Sequence, residues 1–148
     1  MRVYRLHRRQ RHASDFLGSL LLANRWNPEG VPLLYCSTSL ALACLEILVH
    51  LSPEQVPPSY VYSSAEIGAA PQMDFQGDLA DPLNTREHGR RWVVSKASLA
   101  TLVPSVIIPV EFNCLLNPTH RGFSSVSWDP PQHFEFDRRL LKQSNAPL

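Results

Sequence analysis

Thirteen prolines, spread along a chain of 148 residues, constrain the fold more than any other feature of this sequence. Proline fixes φ and has no backbone N–H to donate, so it ends or kinks helices and is excluded from the centre of a sheet. A bundle of long helices is therefore disfavoured. The sequence predicts an α+β domain of many short elements, with residues 1–148 forming one domain and a polar tail from about residue 140.

Hydrophobic periodicity assigns the short elements. We predict strands over 1–7, 31–36, 59–67, 101–109 (interrupted by Pro104) and 134–137, a short helix or turn over 16–22, and helices over 40–51 and 84–95, the latter with Trp92 inward. Hydroxyls at 37–39 are available to cap the helix over 40–51, which should stop before Pro53. Residues 52–58 and 68–85 should be loops. Residues 27–30 should form a turn, because Pro28 fixes φ and Gly30 supplies positive φ.

Composition excludes several classes of protein. The net charge is only +1, which argues against a general nucleic-acid binder. The arginines crowded into residues 2–11 form either a solvated basic edge or a contact surface for an acidic partner. Three cysteines without a CxxC pair are expected to be buried, reduced thiols of a cytoplasmic protein. We expect no membrane span, no secretory signal and no metal site, since the sequence has neither a long apolar run nor an HExxH motif.

Three chemically distinctive side chains stand at intervals of ten and eleven residues between positions 24 and 50. Arg25, beside turns that expose N–H groups, is either a surface arginine or a ligand for phosphate. Tyr35 either packs in the core or supports a planar ligand ring. Glu46 stands among apolar residues, where a carboxylate rarely lies without a partner. It either faces solvent, pairs with His50, or stabilises the charge that develops on a ribose when its glycosidic bond breaks.

Further candidates lie in the C-terminal half. Ser105, inside an apolar strand, either bonds the local backbone or orients Glu46 or a ribose. Asn117 and His120, in an Asn-Pro-Thr-His turn, either serve the turn or line a cleft.

Five motifs in this order resemble those of the RES domain family. They are Asn24-Arg25-Trp26-Asn27 with Gly30 and Tyr35; Ser39-Leu40-Ala41 with Leu45-Glu46-Ile47-Leu48-Val49-His50; Gly89 with Trp92; Val103-Pro104-Ser105 with Asn113 and Asn117-Pro118-Thr119-His120; and Phe134 to Arg138. The Arg, Glu and Ser of the family's name map onto Arg25, Glu46 and Ser105. Ala23 and Asn24 replace the family's glycine pair. Because asparagine tolerates left-handed backbone, the turn is expected to survive.

The resemblance implies a single domain similar to the ADP-ribosyltransferase fold, with mixed, mostly antiparallel sheets and flanking short helices around a cleft for NAD. It implies the cytoplasmic toxin of a type II toxin–antitoxin pair, neutralised by an Xre-like antitoxin. The toxin would cleave the nicotinamide–ribose bond of NAD without a metal, passing ADP-ribose to phosphate or water, or alternatively to a protein. A non-catalytic nucleotide-binding module and an RNase-type toxin stay open as further alternatives.

The resemblance also implies residue roles. Catalysis would fall to Arg25, Tyr35, Glu46 and Ser105. NAD would be bound by Arg25, Trp26, Tyr35, Ser105, Asn117 and His120, with the nicotinamide ring against Tyr35.

Overall fold

The computed structural model describes residues 1–52, 54 and 59–141. Their six strands are β1 Arg2–Arg8, β2 Leu34–Ser37, β3 Tyr60–Glu66, β4 Ala100–Pro104, β5 Phe112–Leu116 and β6 Gln132–His133. They form one sheet in the order β4-β5-β2-β1-β3-β6, with every neighbouring pair antiparallel. The α-helices within these residues are α1 Leu17–Leu21, α2 Leu40–Leu48 and α3 Pro82–Ser95. The α+β prediction is therefore confirmed.

Helix-capping chemistry places the two longer helices. Ser39 precedes α2, and its hydroxyl oxygen accepts the N–H of Leu42 at 3.1 Å, as the run of hydroxyls predicted. Asp81 caps α3 by accepting the N–H of Leu83, and Pro82 takes the first helical position, where its missing N–H is not needed. Both helix starts are thus fixed by local sequence.

Several predicted elements lie within a few residues of their expected bounds. The predicted strand over 101–109 instead ends at Pro104, β5 was not predicted, and the last predicted strand is wrong. Phe134 and Phe136 pack edge to face, with ring centroids 5.0 Å apart, and Phe136 packs likewise on Tyr60 at 5.5 Å. The strand pairing falls instead on Gln132 and His133. The alternating phenylalanines thus belong to a hydrophobic cluster rather than to a strand. Residues 53 and 55–58 of the predicted loop, and 142–148 of the polar tail, lie outside the described residues.

The sheet is buried on both faces. Alternate residues along β2 and β5 serve opposite clusters. Leu34, Cys36, Cys114 and Leu116 lie in one, whereas Leu115 and Leu33, which precedes β2, join Trp26 and Val93 in another. A third cluster packs Leu6 of β1 against Ala43 and Cys44 of α2. The three cysteines are buried and unpaired, as predicted. Among the described residues, no helix is long and apolar enough to cross a membrane.

The sheet is continuous except at its centre. β1 pairs with β3 along its whole length, but its pairing with β2 is confined to Tyr4 opposite Ser37. Continued antiparallel pairing would place Leu6 opposite Tyr35, yet both of these residues line an open cleft. The two central strands therefore part, and the gap between them positions the candidate site.

Candidate functional site

The cleft has a volume of about 720 Å³ and opens where β1 and β2 separate. Its lining comes from nearly every part of the chain: β1, α1, the loop before β2, β2 itself, α2, the start of α3 and the segments around β4 and β5. Arg25, Tyr35 and Glu46 all line it. The structure thus brings together the three side chains that the sequence singled out first.

Glu46 extends from α2 into the cleft and is held by a network of uncharged donors. Its Oε1 accepts the hydroxyl of Ser105 at 2.8 Å and the side-chain amide of Asn113 at 2.5 Å. The hydroxyl of Ser37 donates to Oδ1 of Asn113 at 2.7 Å, which fixes that amide in turn. Glu46 lines the cleft, and within the described residues Oε2 has no protein hydrogen-bond partner, so the protein orients one carboxylate oxygen and leaves the other unbonded.

Ser105 is fully buried and lies behind Glu46 rather than in the cleft lining. Its oxygen accepts the N–H groups of Ile107 and Ile108, each at 3.1 Å, which directs its own hydrogen towards Glu46. Ser105 thus bonds the local backbone through its oxygen and orients Glu46 through its hydrogen, so the two alternatives hold together. Sequence reasoning missed the matching contribution of Asn113. The available signal was its place beside Ser105 in the fourth motif of the family resemblance.

Helix α3 holds the loop that carries Arg25. The hydroxyl of Thr85 donates to the carbonyl of Arg25 at 2.5 Å, and Nε of Arg86 donates to the carbonyl of Asn24 at 2.8 Å. The Arg25 side chain is steered by one bond, from Nη1 to the carbonyl of Leu79 at 3.1 Å. Its remaining donors can therefore be directed at a ligand.

Trp26 anchors the same loop in the core. Its side chain is 2% exposed and packs edge to face on Phe75, with ring centroids 5.1 Å apart. A Cβ at position 89 would lie 1.6 Å from the Trp26 carbonyl oxygen, so Gly89 of α3 is required for this approach. Trp26 therefore anchors the loop in the core, and it also belongs to the lining of the cleft.

Tyr35 joins the loop to the sheet. Its hydroxyl donates to Oδ1 of Asn27 at 2.7 Å and accepts the N–H of Trp26 at 3.0 Å. Burial raises the pKa of Tyr35 well above its ordinary value, so the phenol stays protonated. Gly30 adopts the predicted positive φ, at 84°, whereas Asn24 does not; the turn forms without left-handed backbone at the substituted position.

Asn117 and His120 are not among the residues that line the cleft, contrary to the sequence expectation. Asn117 is fully buried and donates to the carbonyl of Val93 at 2.9 Å. Its Oδ1 accepts the N–H of Thr119, and Nδ1 of His120 accepts the N–H of Gly122. Both side chains stabilise the turn, which was the alternative that the sequence left open.

The charges in the cleft are unequal. Arg5, Arg25 and Arg86 line it, against the carboxylates of Asp15 and Glu46. Sequence reasoning missed both Arg5, which it grouped with the basic N-terminal residues, and Arg86, to which it gave no role. Within residues 1–52, 54 and 59–141, no three His, Cys, Asp or Glu side chains cluster as metal ligands would.

Comparison with known proteins identifies the family. The RES domain family model matches residues 2–138. Toxin Res of Yersinia enterocolitica (serotype O:8 / biotype 1B) is 34% identical over 152 residues, covering 95% of this chain and 99% of that protein. The Prs ADP-ribosylating toxin of Sphingobium sp. (strain YBL2) is 32% identical over 139 residues, covering 86% of each chain. This chain belongs to the RES domain family, and both of these relatives are toxins.

A solved structure shares the fold. A chain in the crystal structure of the M. tuberculosis MbcT–MbcA toxin–antitoxin complex superposes with a TM-score of 0.63, covering 88% of this chain and 81% of that one. The two sequences are only 14% identical. The similarity therefore establishes that the two proteins share the architecture of sheet and helices. It says nothing about chemistry, which has to be argued from the residues of the cleft.

Proposed function

We propose that this protein is the toxin of a type II toxin–antitoxin system and consumes NAD by breaking its nicotinamide–ribose bond. The observation that carries the proposal is the Glu46 carboxylate, oriented by Ser105 and Asn113 in a cleft that also holds Arg25 and Tyr35. Membership of the RES domain family supports it. A carboxylate fixed by neutral donors keeps its negative charge available for a cationic transition state.

The residues of the cleft fit NAD. A volume of about 720 Å³ lies within the range of small-molecule sites, and the cleft is lined by both apolar and charged side chains. Arg25 offers a guanidinium fork to the pyrophosphate. The Tyr35 ring offers a flat apolar surface to the nicotinamide or its ribose, since its hydroxyl is engaged with the loop.

The reaction that suits this arrangement is heterolysis of the C–N glycosidic bond. Both bonding electrons leave with the ring nitrogen, so nicotinamide departs as a neutral base and positive charge develops on the ribose. Glu46 stabilises that charge, as carboxylates do in glycoside hydrolysis. Water then adds at the ribose and releases a proton, giving ADP-ribose, or inorganic phosphate adds and gives phosphorylated ADP-ribose.

Transfer of ADP-ribose to a protein side chain is a second candidate. One observation favours it: the Sphingobium relative, 32% identical, is named an ADP-ribosylating toxin. The bond broken would be the same, and the acceptor would be a nucleophile of the target protein instead of water or phosphate. The two candidates thus share Glu46 and differ in what enters after nicotinamide leaves.

A helical, Xre-like antitoxin is the partner we propose, acting in the cytoplasm. The structural neighbour comes from a toxin–antitoxin complex, and an enzyme that removes NAD from its own cell needs silencing. The simplest route is to cover the cleft, because an occluded Arg25 cannot reach a pyrophosphate. Added antitoxin should abolish NAD turnover and protect Arg25 from solvent. Tight binding with turnover and accessibility unchanged would place inhibition elsewhere.

Product analysis tests the proposed function. The purified protein is incubated with NAD in phosphate-free buffer, with inorganic phosphate, and with a cell extract, and the products are separated by chromatography. We expect free nicotinamide to appear, accompanied by ADP-ribose, phosphorylated ADP-ribose or labelled protein according to the acceptor. Intact NAD under all three conditions, with a folded protein, would contradict the proposal and favour a binding module.

A further inference from the structure

His50 is a titratable side chain of the cleft to which the proposed chemistry gives no role. It is exposed, lines the cleft and follows Glu46 by four residues, just beyond the end of α2. The N–H of Val49 donates to the carbonyl of Leu45 at 3.2 Å, and that of His50 to the carbonyl of Ile47 at 3.1 Å, so helical winding continues past Leu48. Side chains four residues apart on a helix are neighbours, with Cβ atoms about 5–6 Å apart. Glu46 and His50 therefore reach the cleft side by side.

These two neighbouring side chains do not bond each other. Oε1 of Glu46 accepts the hydrogen bonds from Ser105 and Asn113, and Oε2 accepts none from the described part of the protein. Among the same residues the His50 ring takes part in no hydrogen bond or ion pair. The pairing of Glu46 with His50 that the sequence left open is thus not formed. A molecule in the cleft can contact both an unbonded carboxylate oxygen and an unengaged imidazole.

The proposed reaction has a proton that none of the other assigned residues accepts. When water adds to the cationic ribose carbon C1′, its oxygen must lose one hydrogen. Glu46 is assigned to the stabilisation of positive charge, and an arginine does not accept protons. A neutral imidazole has one ring nitrogen with a free lone pair, and histidine is the side chain that most often moves protons in catalysis near neutral pH. Because His50 is exposed, it can pass such a proton on to bulk solvent.

We infer that His50 is the general base that accepts the proton of a neutral acceptor in this cleft. The inference rests on the proposed function for the reaction itself. The oxygen of water forms the bond to C1′ while one of its hydrogens moves to a ring nitrogen of His50. The products are ADP-ribose, with a hydroxyl on C1′, and an imidazolium that releases its proton to solvent. The hydroxyl of a protein side chain would add by the same route.

Anionic acceptors provide the contrast. Azide, or an unprotonated oxygen of inorganic phosphate, adds to C1′ through a lone pair and has no hydrogen to lose. The rate of that addition does not depend on a base. His50 therefore favours neutral acceptors over anionic ones, which makes it a residue that determines which product the cleft forms.

Competition between acceptors tests the inference. Wild type, His50→Gln and His133→Gln are incubated with NAD in phosphate-free buffer that contains dilute methanol and azide, and separately in buffer with inorganic phosphate. ADP-ribose, its methyl glycoside, ADP-ribosyl azide and phosphorylated ADP-ribose are separated by chromatography. His133 is the matched control, since it is exposed and does not line the cleft. Thermal unfolding checks the fold of each variant.

We expect His50→Gln to lower the ratio of water and methanol products to azide or phosphate product on the order of tenfold or more. His133→Gln should keep the ratio of the wild type. All acceptors compete for the same cationic ribose, so the ratio is independent of NAD affinity and of the rate of C–N cleavage. A merely structural effect of the substitution would leave it unchanged. If the wild type uses neutral acceptors alone, kcat for ADP-ribose formation should fall by a similar factor in His50→Gln, with KM for NAD little changed.

Failure of the inference and failure of the proposed function give different results. Release of nicotinamide by a folded His50→Gln protein with the product ratio or kcat of the wild type would overturn the inference and leave the proposed function intact. Formation of azide and phosphate products alone by the wild type would do the same. Absence of nicotinamide from every wild-type reaction would overturn both.

Discussion

Ser105 donates its hydroxyl hydrogen to Oε1 of Glu46 across 2.8 Å, although the two residues are 59 positions apart in the chain. The bond joins the residue that follows β4 to the last turn of α2. The N–H groups of Ile107 and Ile108 donate to the serine oxygen and so fix the direction of its hydroxyl hydrogen. Glu46 is therefore positioned by the fold itself before any ligand arrives, which is the preorganisation that electrostatic catalysis requires.

Ser105→Ala should lower kcat for NAD on the order of tenfold and change KM little. The serine touches Glu46 and not the cleft, so its loss loosens the carboxylate while Asn113 still holds it. Steady-state kinetics measure both constants. Ser124→Ala, at an exposed serine, should match the wild type. A Ser105→Ala enzyme with unchanged kcat would show that Asn113 alone suffices to orient Glu46.

Gly89→Ala should destabilise the protein by about 1–3 kcal/mol or more, because its Cβ would overlap the Trp26 carbonyl. The displaced loop carries Arg25, so NAD turnover should fall as well. Urea denaturation gives the free energy of unfolding. Gly68→Ala is the matched control, since a Cβ there meets nothing within 4 Å. Equal stability of the two variants would disprove the close packing of α3 on the loop.

Arg25→Ala should raise KM for NAD and also lower kcat, because a phosphate contact acts in both the ground state and the transition state. Arg25→Lys should recover only part of the activity, since an ammonium lacks the planar fork. Arg121→Ala, at an exposed arginine outside the cleft, serves as the control. Full activity of the lysine variant would mean that charge alone matters at this position.

Tyr35→Phe should destabilise the protein at neutral pH by about 1 kcal/mol, because the variant lacks the hydroxyl that bonds Asn27 and Trp26. The folded-state pKa of Tyr35 is raised by burial, so the folded protein holds this proton more tightly than the unfolded chain. The contribution of Tyr35 to stability is therefore complete below about pH 10, the ordinary tyrosine pKa, and declines above it. Unfolding of both proteins should give a difference that shrinks above pH 10; a constant difference would refute this assignment.

The sequence was most informative where local chemistry decides structure. Ser39 marked the start of α2, and the turn at 27–30 was read from Pro28 and Gly30. It was least informative where one residue pattern serves two purposes. The alternation of Phe134 and Phe136 is typical of a strand, yet their rings fill a cluster beside α2.

The residues of the candidate site likewise fall into those that the sequence predicted and those that it did not. The setting of Glu46 in an apolar helix predicted a partnered carboxylate, and the structure provides the partners. Asn117 and His120 were ambiguous because turn-forming side chains are also common ligands. Arg5 was grouped with its neighbouring arginines by composition, although it shares one face of β1 with buried Val3 and His7. Long-range contacts such as Ser105 with Glu46 depend on topology, which spacing along the chain does not encode.

The most direct test of the account is the rate of nicotinamide release from NAD by Glu46→Gln. The substitution keeps the size of the side chain and its Oε1 acceptor but removes the charge, so circular dichroism and the melting temperature should stay close to those of the wild type. Glu135→Gln, at an exposed glutamate outside the cleft, is the control and should release nicotinamide at the wild-type rate. We predict that Glu46→Gln is slower by about 100-fold or more. A folded Glu46→Gln protein that releases nicotinamide at the rate of the wild type would contradict the central claim.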